Sequence, residues 1–315
     1  MLAPSRKTPP VRQRRRKLTV CVAAFAAKER AIVLISDTAI TKGNMVSDTS
    51  ILKMSQIGDT PWHALMSGTI SLCEEILTRS ESILKEKGHE SDPDSHVSMM
   101  SLVSRVYAQI YEEHLVARVL TPRLLTKTDL YTRPNILLRL PKYIYEHVDK
   151  ERADFERSYW SANLLVCGFD VHGKPHIFGV DWPGKAYGED KSGYAAIGVG
   201  ADSAEGRLMW LESDREDNLD RVLWESFDAK VQAEIMQGVG YSWDAHILLK
   251  SSPKDAKRVP HDLQEIMDKA ITLRQHSPFA TEKQKLESWE LPPDDWKEQI
   301  TKFTESLIPP DPPAT

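Results

Sequence analysis

Apolar positions come in short runs before they come in helical stripes. Residues 19 to 25 (Thr-Val-Cys-Val-Ala-Ala-Phe) and Ala31 to Asp37 (Ala-Ile-Val-Leu-Ile-Ser-Asp) are almost continuously apolar, bounded by the polar Lys28-Glu29-Arg30. Runs of this length and composition predict two strands joined by a hairpin turn through 27–30. A loop containing Gly43-Asn44 follows, and then a third short strand carrying Ile51-Leu52-Lys53. Trp62 to Met66 predicts another strand, ending at Ser67-Gly68. The period then changes. Ile70, Cys73, Ile76, Leu77, Ile83 and Leu84 recur at helical spacing, which predicts a helix over 70–87 closed by Gly88. The loop 91–95 supplies a cap for a second helix, with Val97, Leu102, Val103, Val106, Tyr107 and Ile110 on one face. Two amphipathic helices after strands are expected to cover one face of a sheet.

The Pro-containing stretch 120–158 breaks any long helix at Pro122, Pro134 and Pro141 and reads as an insertion, with a helix over 136–148 available for oligomer contacts. A second strand-rich half begins with 162–170, turns through Val171-His172-Gly173-Lys174 and returns over 176–181. A strand over 194–200 leads into a helix from Ala201 to Leu211, with Asp202 or Ser203 near its cap. Gly198-Val199-Gly200 lacks the further glycine and the Lys-Ser/Thr pair of a nucleotide loop. A helix over 219–237, stopped by Gly238-Val239-Gly240, precedes a last strand over 242–249. Beyond Lys250 the chain is polar and helix-forming, then Pro-rich.

Three polar groups stand out in the first apolar block. Thr19 opens the first strand, Asp37 ends the second, and Lys53 lies between Leu52 and Met54 in the third. An isolated charge is costly to bury unless it is paired. The Asp and the Lys therefore belong either to an exposed hairpin or to a buried pair. A hydroxyl beside such a pair is an arrangement for activating a nucleophile.

These residues carry a resemblance. Thr19-Val-Cys-Val-Ala-Ala24, Ile35-Ser-Asp-Thr38, Gly43-Asn-Met-Val46 and Ile51-Leu-Lys-Met54 resemble the start of a proteasome β-type subunit, closest to uncharacterised bacterial proteasome-like proteins. Asp37, Thr41, Gly43-Asn44 and Lys53 keep the family's internal spacing. The resemblance covers about residues 19 to 250. It implies an α+β fold of four layers, the αββα sandwich of N-terminal-nucleophile hydrolases. It also implies Thr19 as nucleophile, with its own α-amino group as base. Asp37 and Lys53 would complete the catalytic group, the Gly68 N–H would serve the oxyanion, and Thr41 would line the cleft for an extended peptide. A count back from Asp37 without gaps selects Cys21 as nucleophile instead.

Three departures from the family pattern bear on activity. Thr19 is preceded by other residues, the serine of the glycine turn is Val199, and the late acidic position is at best Glu234. Translation from a start codon at position 18, or cleavage between Leu18 and Thr19, would expose the amine. The implied function is amide-bond hydrolysis on a peptide or protein substrate, in a homo-oligomeric ring, with no cofactor and no metal. Whether an ATPase partner feeds such a ring is not legible. The alternative is a non-catalytic assembly subunit, and a weaker third reading is a small-amide hydrolase on the same fold.

Composition narrows the setting. The 315 residues divide into a basic, disordered segment 1–17 ending in Arg14-Arg15-Arg16-Lys17, a hydrolase-like domain 18–250, and a polar helical extension 251–315. A net charge of −5 argues against general nucleic-acid binding. Apolar runs are too short for a membrane helix. Three scattered cysteines give neither a disulfide framework nor a zinc site, and a reducing cytoplasm is the expected setting.

Overall fold

In a computed structural model, residues 19–42, 45–48, 53–87, 95–126, 128, 142–159, 162–234, 239–276 and 294–308 are described. The first apolar block forms β1 (Val20–Ala26) and β2 (Ala31–Asp37). They pair antiparallel from Cys21 opposite Ser36 to Ala26 opposite Ala31. The connecting turn holds Ala27, Lys28 and Glu29 at φ of 54°, 56° and 62°. Left-handed backbone is unfavourable for residues with a Cβ. Here it is held from outside: the Ala27 and Lys28 amides donate to the carbonyls of Asp217 and Arg215, and Arg215 pairs with Glu29 at 2.7 Å.

Two further short strands follow, β3 (Ala39–Lys42) and β4 (Met45–Asp48), which among the described residues pair only with each other. Lys53 lies just before β5 (Met54–Gln56) rather than within a strand. Then come β6 (Trp62–Ser67), α1 (Ile70–Lys87) and α2 (His96–Leu115), near the boundaries their periodicity predicts. Val97 is 64% exposed, so the buried face of α2 runs instead through Met99, Leu102, Val103, Val106, Tyr107 and Ile110. Ser95 occupies the N-cap position without a side-chain cap bond. The next long helix described, α3 (Lys142–Tyr159), overlaps the 136–148 reading, of which 136–141 lie outside the described residues, and buries Val148 and Phe155 in the core shared with α2.

The second half supplies β7 (Asn163–Phe169), β8 (Pro175–Asp181), β9 (Lys185–Gly188), β10 (Tyr194–Gly198), α4 (Ala201–Trp210), α5 (Leu219–Ala233) and β11 (Trp243–Leu249). The N-cap of α4 is Gly200, not Asp202 or Ser203, and α5 ends at Ala233 rather than 237. Beyond Lys250 the chain is not helical at first. Ser252–Arg258 form β12, and only then do α6 (His261–His276) and α7 (Asp294–Leu307) follow.

Two five-stranded antiparallel sheets result, in the orders β10-β1-β2-β11-β12 and β5-β6-β7-β8-β9. Their cores explain why β1 and β2 read as continuous apolar runs. Cys21, Ala23 and Phe25 point into a core shared with Leu65, Leu165 and Ile177 of the other sheet. The alternate residues Val20, Val22, Ala24 and Ala26 face helices, against Leu208 of α4 and Leu223 of α5. With both faces covered, every β1 and β2 position is buried. The second sheet turns Trp62, Ala64 and Met66 toward α1 and α2. Leu263 and Met267 of α6 and Ile300 of α7 join the core over the first sheet, so the polar C-terminal stretch still contributes apolar contacts.

Candidate functional site

The site lies where β1 begins and β2 ends. Antiparallel pairing brings these two ends of the chain segment together, so Thr19 and Asp37 are neighbours by register. Lys53 reaches them from the lead-in to β5, anchored by its carbonyl, which accepts the Met66 amide at 2.8 Å. Its ammonium donates to the Thr19 hydroxyl oxygen and, at 2.8 Å, to Asp37 Oδ1. All three side chains are buried, at 5% exposure for Thr19, 0% for Asp37 and 1% for Lys53. The sequence admitted an exposed hairpin or a buried pair, and the arrangement is the buried pair.

A carboxylate out of water needs more than one partner. Asp37 Oδ1 also accepts the Val20 amide at 3.1 Å, and Oδ2 accepts the Gly240 amide at 3.1 Å. Two backbone donors and one ammonium therefore hold the carboxylate in a fixed direction. They leave Lys53 oriented along a line from Asp37 to the Thr19 oxygen. Gly240 carried no such role in the sequence, where it reads only as a helix stop; it lies too far along the chain from Asp37 for any local signal.

The Thr19 carbonyl sits against the glycine turn after β10. Gly198 pairs with Val20 at φ 99°, and a Cβ there would collide with the Thr19 carbonyl oxygen and lie 2.9 Å from Ser67 Oγ. Only glycine allows this approach. The Gly200 amide faces the same carbonyl at 3.4 Å. Gly68 directly follows β6 at φ 83°, so the Ser67-Gly68 turn borders the start of β1. Ser67 has no distinguishing signal in the sequence; its place beside Thr19 comes from the meeting of β6 with the β10 turn. Thr41 lies in β3, and its side chain falls outside the described residues.

Cys21, the competing nucleophile, faces elsewhere. Its side chain is in the inter-sheet core and donates to the Met66 carbonyl at 3.4 Å. Burial pushes the Cys21 thiol far above its ordinary range, Asp37 adds to the shift, and the Lys53 charge only partly opposes it. A thiol held protonated is a poor nucleophile. Glu234 is also engaged elsewhere. It pairs with the buried Lys230, which donates in addition to the Tyr241 carbonyl at 2.5 Å. Burial raises the Glu234 carboxyl, with Lys230 opposing.

Chemically, the arrangement places a fixed positive charge on a hydroxyl oxygen. That lowers the proton affinity of the hydroxyl and stabilises negative charge developing there. A profile of the family described as proteasome subunit matches residues 117–221, the stretch from just after α2 into the first turn of α5. The matched stretch is thus similar to proteasome subunits, and it does not include Thr19, Asp37 or Lys53. No curated protein matches the chain. Among the described residues no helix is long and apolar enough to cross a membrane.

Proposed function

We propose that the chain is a proteasome-like N-terminal-nucleophile hydrolase of the threonine type, acting on peptide bonds. The observation that carries this reading is the Lys53 ammonium shared between the Thr19 hydroxyl and the buried Asp37 carboxylate. The family match over 117–221 adds independent support, because it rests on other residues. The order of the packed faces supports the four-layer αββα form: helices α1 and α2, the β5–β9 sheet, the sheet containing β1 and β2, and helices α4 to α7.

In this reading Thr19 is the first residue of the working chain. An α-amino group, with an ordinary pKa of about 7.7–8.0, is partly neutral at neutral pH and takes the hydroxyl proton. Lys53 lowers the proton affinity of both groups, and Asp37 pairs with Lys53 and aims it. The oxygen attacks the scissile carbonyl, and the Gly68 N–H is the proposed donor to the oxyanion. Val199 stands where the family has a serine, so the amine has one supporting hydroxyl fewer. We further propose assembly into a homo-oligomeric ring in the cytoplasm, with 1–17 as a flanking segment and the 251–315 extension packed onto the hydrolase domain through β12, α6 and α7.

A second reading, the non-catalytic assembly subunit, is favoured by one observation: Thr19 is only 5% exposed, with little of its surface open to a substrate. Two measurements separate the readings. Intact mass of the protein from its native host reports the N-terminus. A chain beginning at Thr19 is then assayed on fluorogenic peptides beside its Thr19→Ala variant. The enzyme reading expects turnover that Thr19→Ala abolishes. A native chain retaining residues 1 to 17, together with no turnover by the Thr19-terminal form, would establish the assembly subunit instead.

A further inference from the structure

A second cluster of chemically capable side chains sits at the opposite end of β6 from Ser67. His176 is the second residue of β8, Asp190 follows β9, and His96 is the first residue of α2. Each offers one ligand atom, and these atoms all lie within 4.8 Å of one another. The two imidazoles stack with centroids 4.1 Å apart and planes 8° from parallel. Trp62 lies beside both rings, at 6.2 Å from His96 and 6.1 Å from His176.

The hydrogen-bond accounting is uneven. His176 Nδ1 lies 2.6 Å from Asp190 Oδ2, and His176 Nε2 lies 3.3 Å from Asp170 Oδ2. Asp190 Oδ1 accepts the Ile177 amide at 2.9 Å, which fixes the carboxylate. His96 Nε2, by contrast, is buried without a hydrogen-bond partner. A buried polar atom left unsatisfied calls for an explanation, and a role in binding an ion is one.

We propose that His96, His176 and Asp190 form a binding site for a late first-row divalent metal ion such as zinc. The donor set, two imidazoles and one carboxylate, suits that class of ion. In the metal-free protein a proton occupies the position between His176 Nδ1 and Asp190 Oδ2. The ion displaces it to solvent, and the two donors separate to the roughly 3.2–3.5 Å spacing that bonds of about 2.0–2.2 Å require. The His96 ring must rotate out of the stack to bring Nε2 into the same sphere, because the in-plane lone pairs of two parallel rings do not converge on one ion. Asp170 remains on the far nitrogen of His176, where a second carboxylate orients and strengthens a metal-bound imidazole. Asp170 and Asp190 together supply negative charge that offsets the repulsion between the ion and the positive end of α2. Three protein donors leave a tetrahedral ion one position for water. The consequence is a tie between the first residue of α2 and the β8–β9 end of the sheet, remote from Thr19. The histidines are far apart in sequence, which is why their spacing carries no ligand motif.

The test uses the full chain, stripped with chelator and titrated with zinc by calorimetry, with cobalt absorption as a second readout. The expected result is one ion per chain, at least tenfold weaker binding in both His96→Ala and Asp190→Asn, and unchanged binding in the exposed-histidine control His261→Ala. Saturating zinc is expected to raise the thermal midpoint of the wild type and not that of His96→Ala. Far-ultraviolet dichroism confirms that the variants fold, and Asp190→Asn, with its partly exposed side chain, stands in should His96→Ala not. No binding by the wild type, equal binding by the site variants, or a sulfur-to-cobalt charge-transfer band overturns the proposal.

Discussion

Replacing Lys53 with methionine removes an ammonium whose two partners are both buried. Asp37 keeps its two backbone bonds, from Val20 and Gly240 at 3.1 Å each, but its charge is then uncompensated at 0% exposure. Breaking a buried ion pair from one side costs about 3–5 kcal/mol. The converse change, Asp37→Asn, strands the ammonium and falls in the same range, about 3–5 kcal/mol. The double variant strands neither charge. Its remaining penalty is local: the side-chain amide that replaces the carboxylate must turn one N–H toward the Val20 or Gly240 donor, which costs about 1–3 kcal/mol. The two single losses therefore exceed the double loss by at least about 3 kcal/mol, if the ion pair is as dry as its geometry implies. Equilibrium urea unfolding of the four proteins measures this, provided the slopes agree among them. Additivity within about 0.5 kcal/mol would refute the reasoning, because it would mean that water reaches the pair. Unfolding is the better assay here, since all three variants are expected to be inactive and turnover would not resolve them.

Other expectations are independent of that pair. Gly198→Ala is expected to lose about 2–4 kcal/mol in the same unfolding assay, through a left-handed φ and a clash with the Thr19 carbonyl, and wild-type stability would remove that contact from the site. Cys21 is expected to resist alkylation in the native protein, and Cys21→Ser to leave intact any turnover that Thr19→Ala abolishes; loss of turnover in Cys21→Ser alone would reverse the choice of nucleophile. His63 is 2% exposed, and burial, with His246 adding to it, lowers its pKa from 6.5 to about 4. The unfolded chain then binds the proton more readily, so stability is full above pH 6.5 and falls by about 3 kcal/mol as pH drops toward 4. Urea midpoints at several pH values test this: His63→Gln is expected to flatten the profile, and an unchanged slope would assign the loss to other groups.

How much of this was legible depends on what specifies each element. β1 and β2 are visible because both faces are buried, so every position before Ser36 is apolar and the one charge at the end stands out. Asp37 and Lys53 are conspicuous for the same reason. The short strands are not visible in this way. β9 is Lys-Ala-Tyr-Gly and β12 is Ser-Pro-Lys-Asp-Ala-Lys-Arg, and neither carries an apolar alternation. Their conformation comes from pairing with β8 and β11, which is tertiary information. The displaced cap of α4 has a related cause: Gly200 is held at the Thr19 carbonyl, and the helix starts from there whatever the polar residues at 202 and 203 prefer. Gly240 could not be found, because a backbone amide has no sequence signature.

The composition of β12 has one more effect. It ends its sheet in the order β10-β1-β2-β11-β12, so among the described residues one side of its backbone has no strand partner in that sheet. Such a border is an invitation to pair with another chain unless something spoils it. Pro253, Lys254, Lys257 and Arg258 do so here: a missing amide and an excess of positive charge, three cations against Asp255, make a second copy of this strand a poor neighbour. Lateral growth of the sheet from copy to copy is thereby discouraged at this edge. Copies that associate are steered toward other surfaces, and β12 acts as a terminator of the fold as well as a part of it.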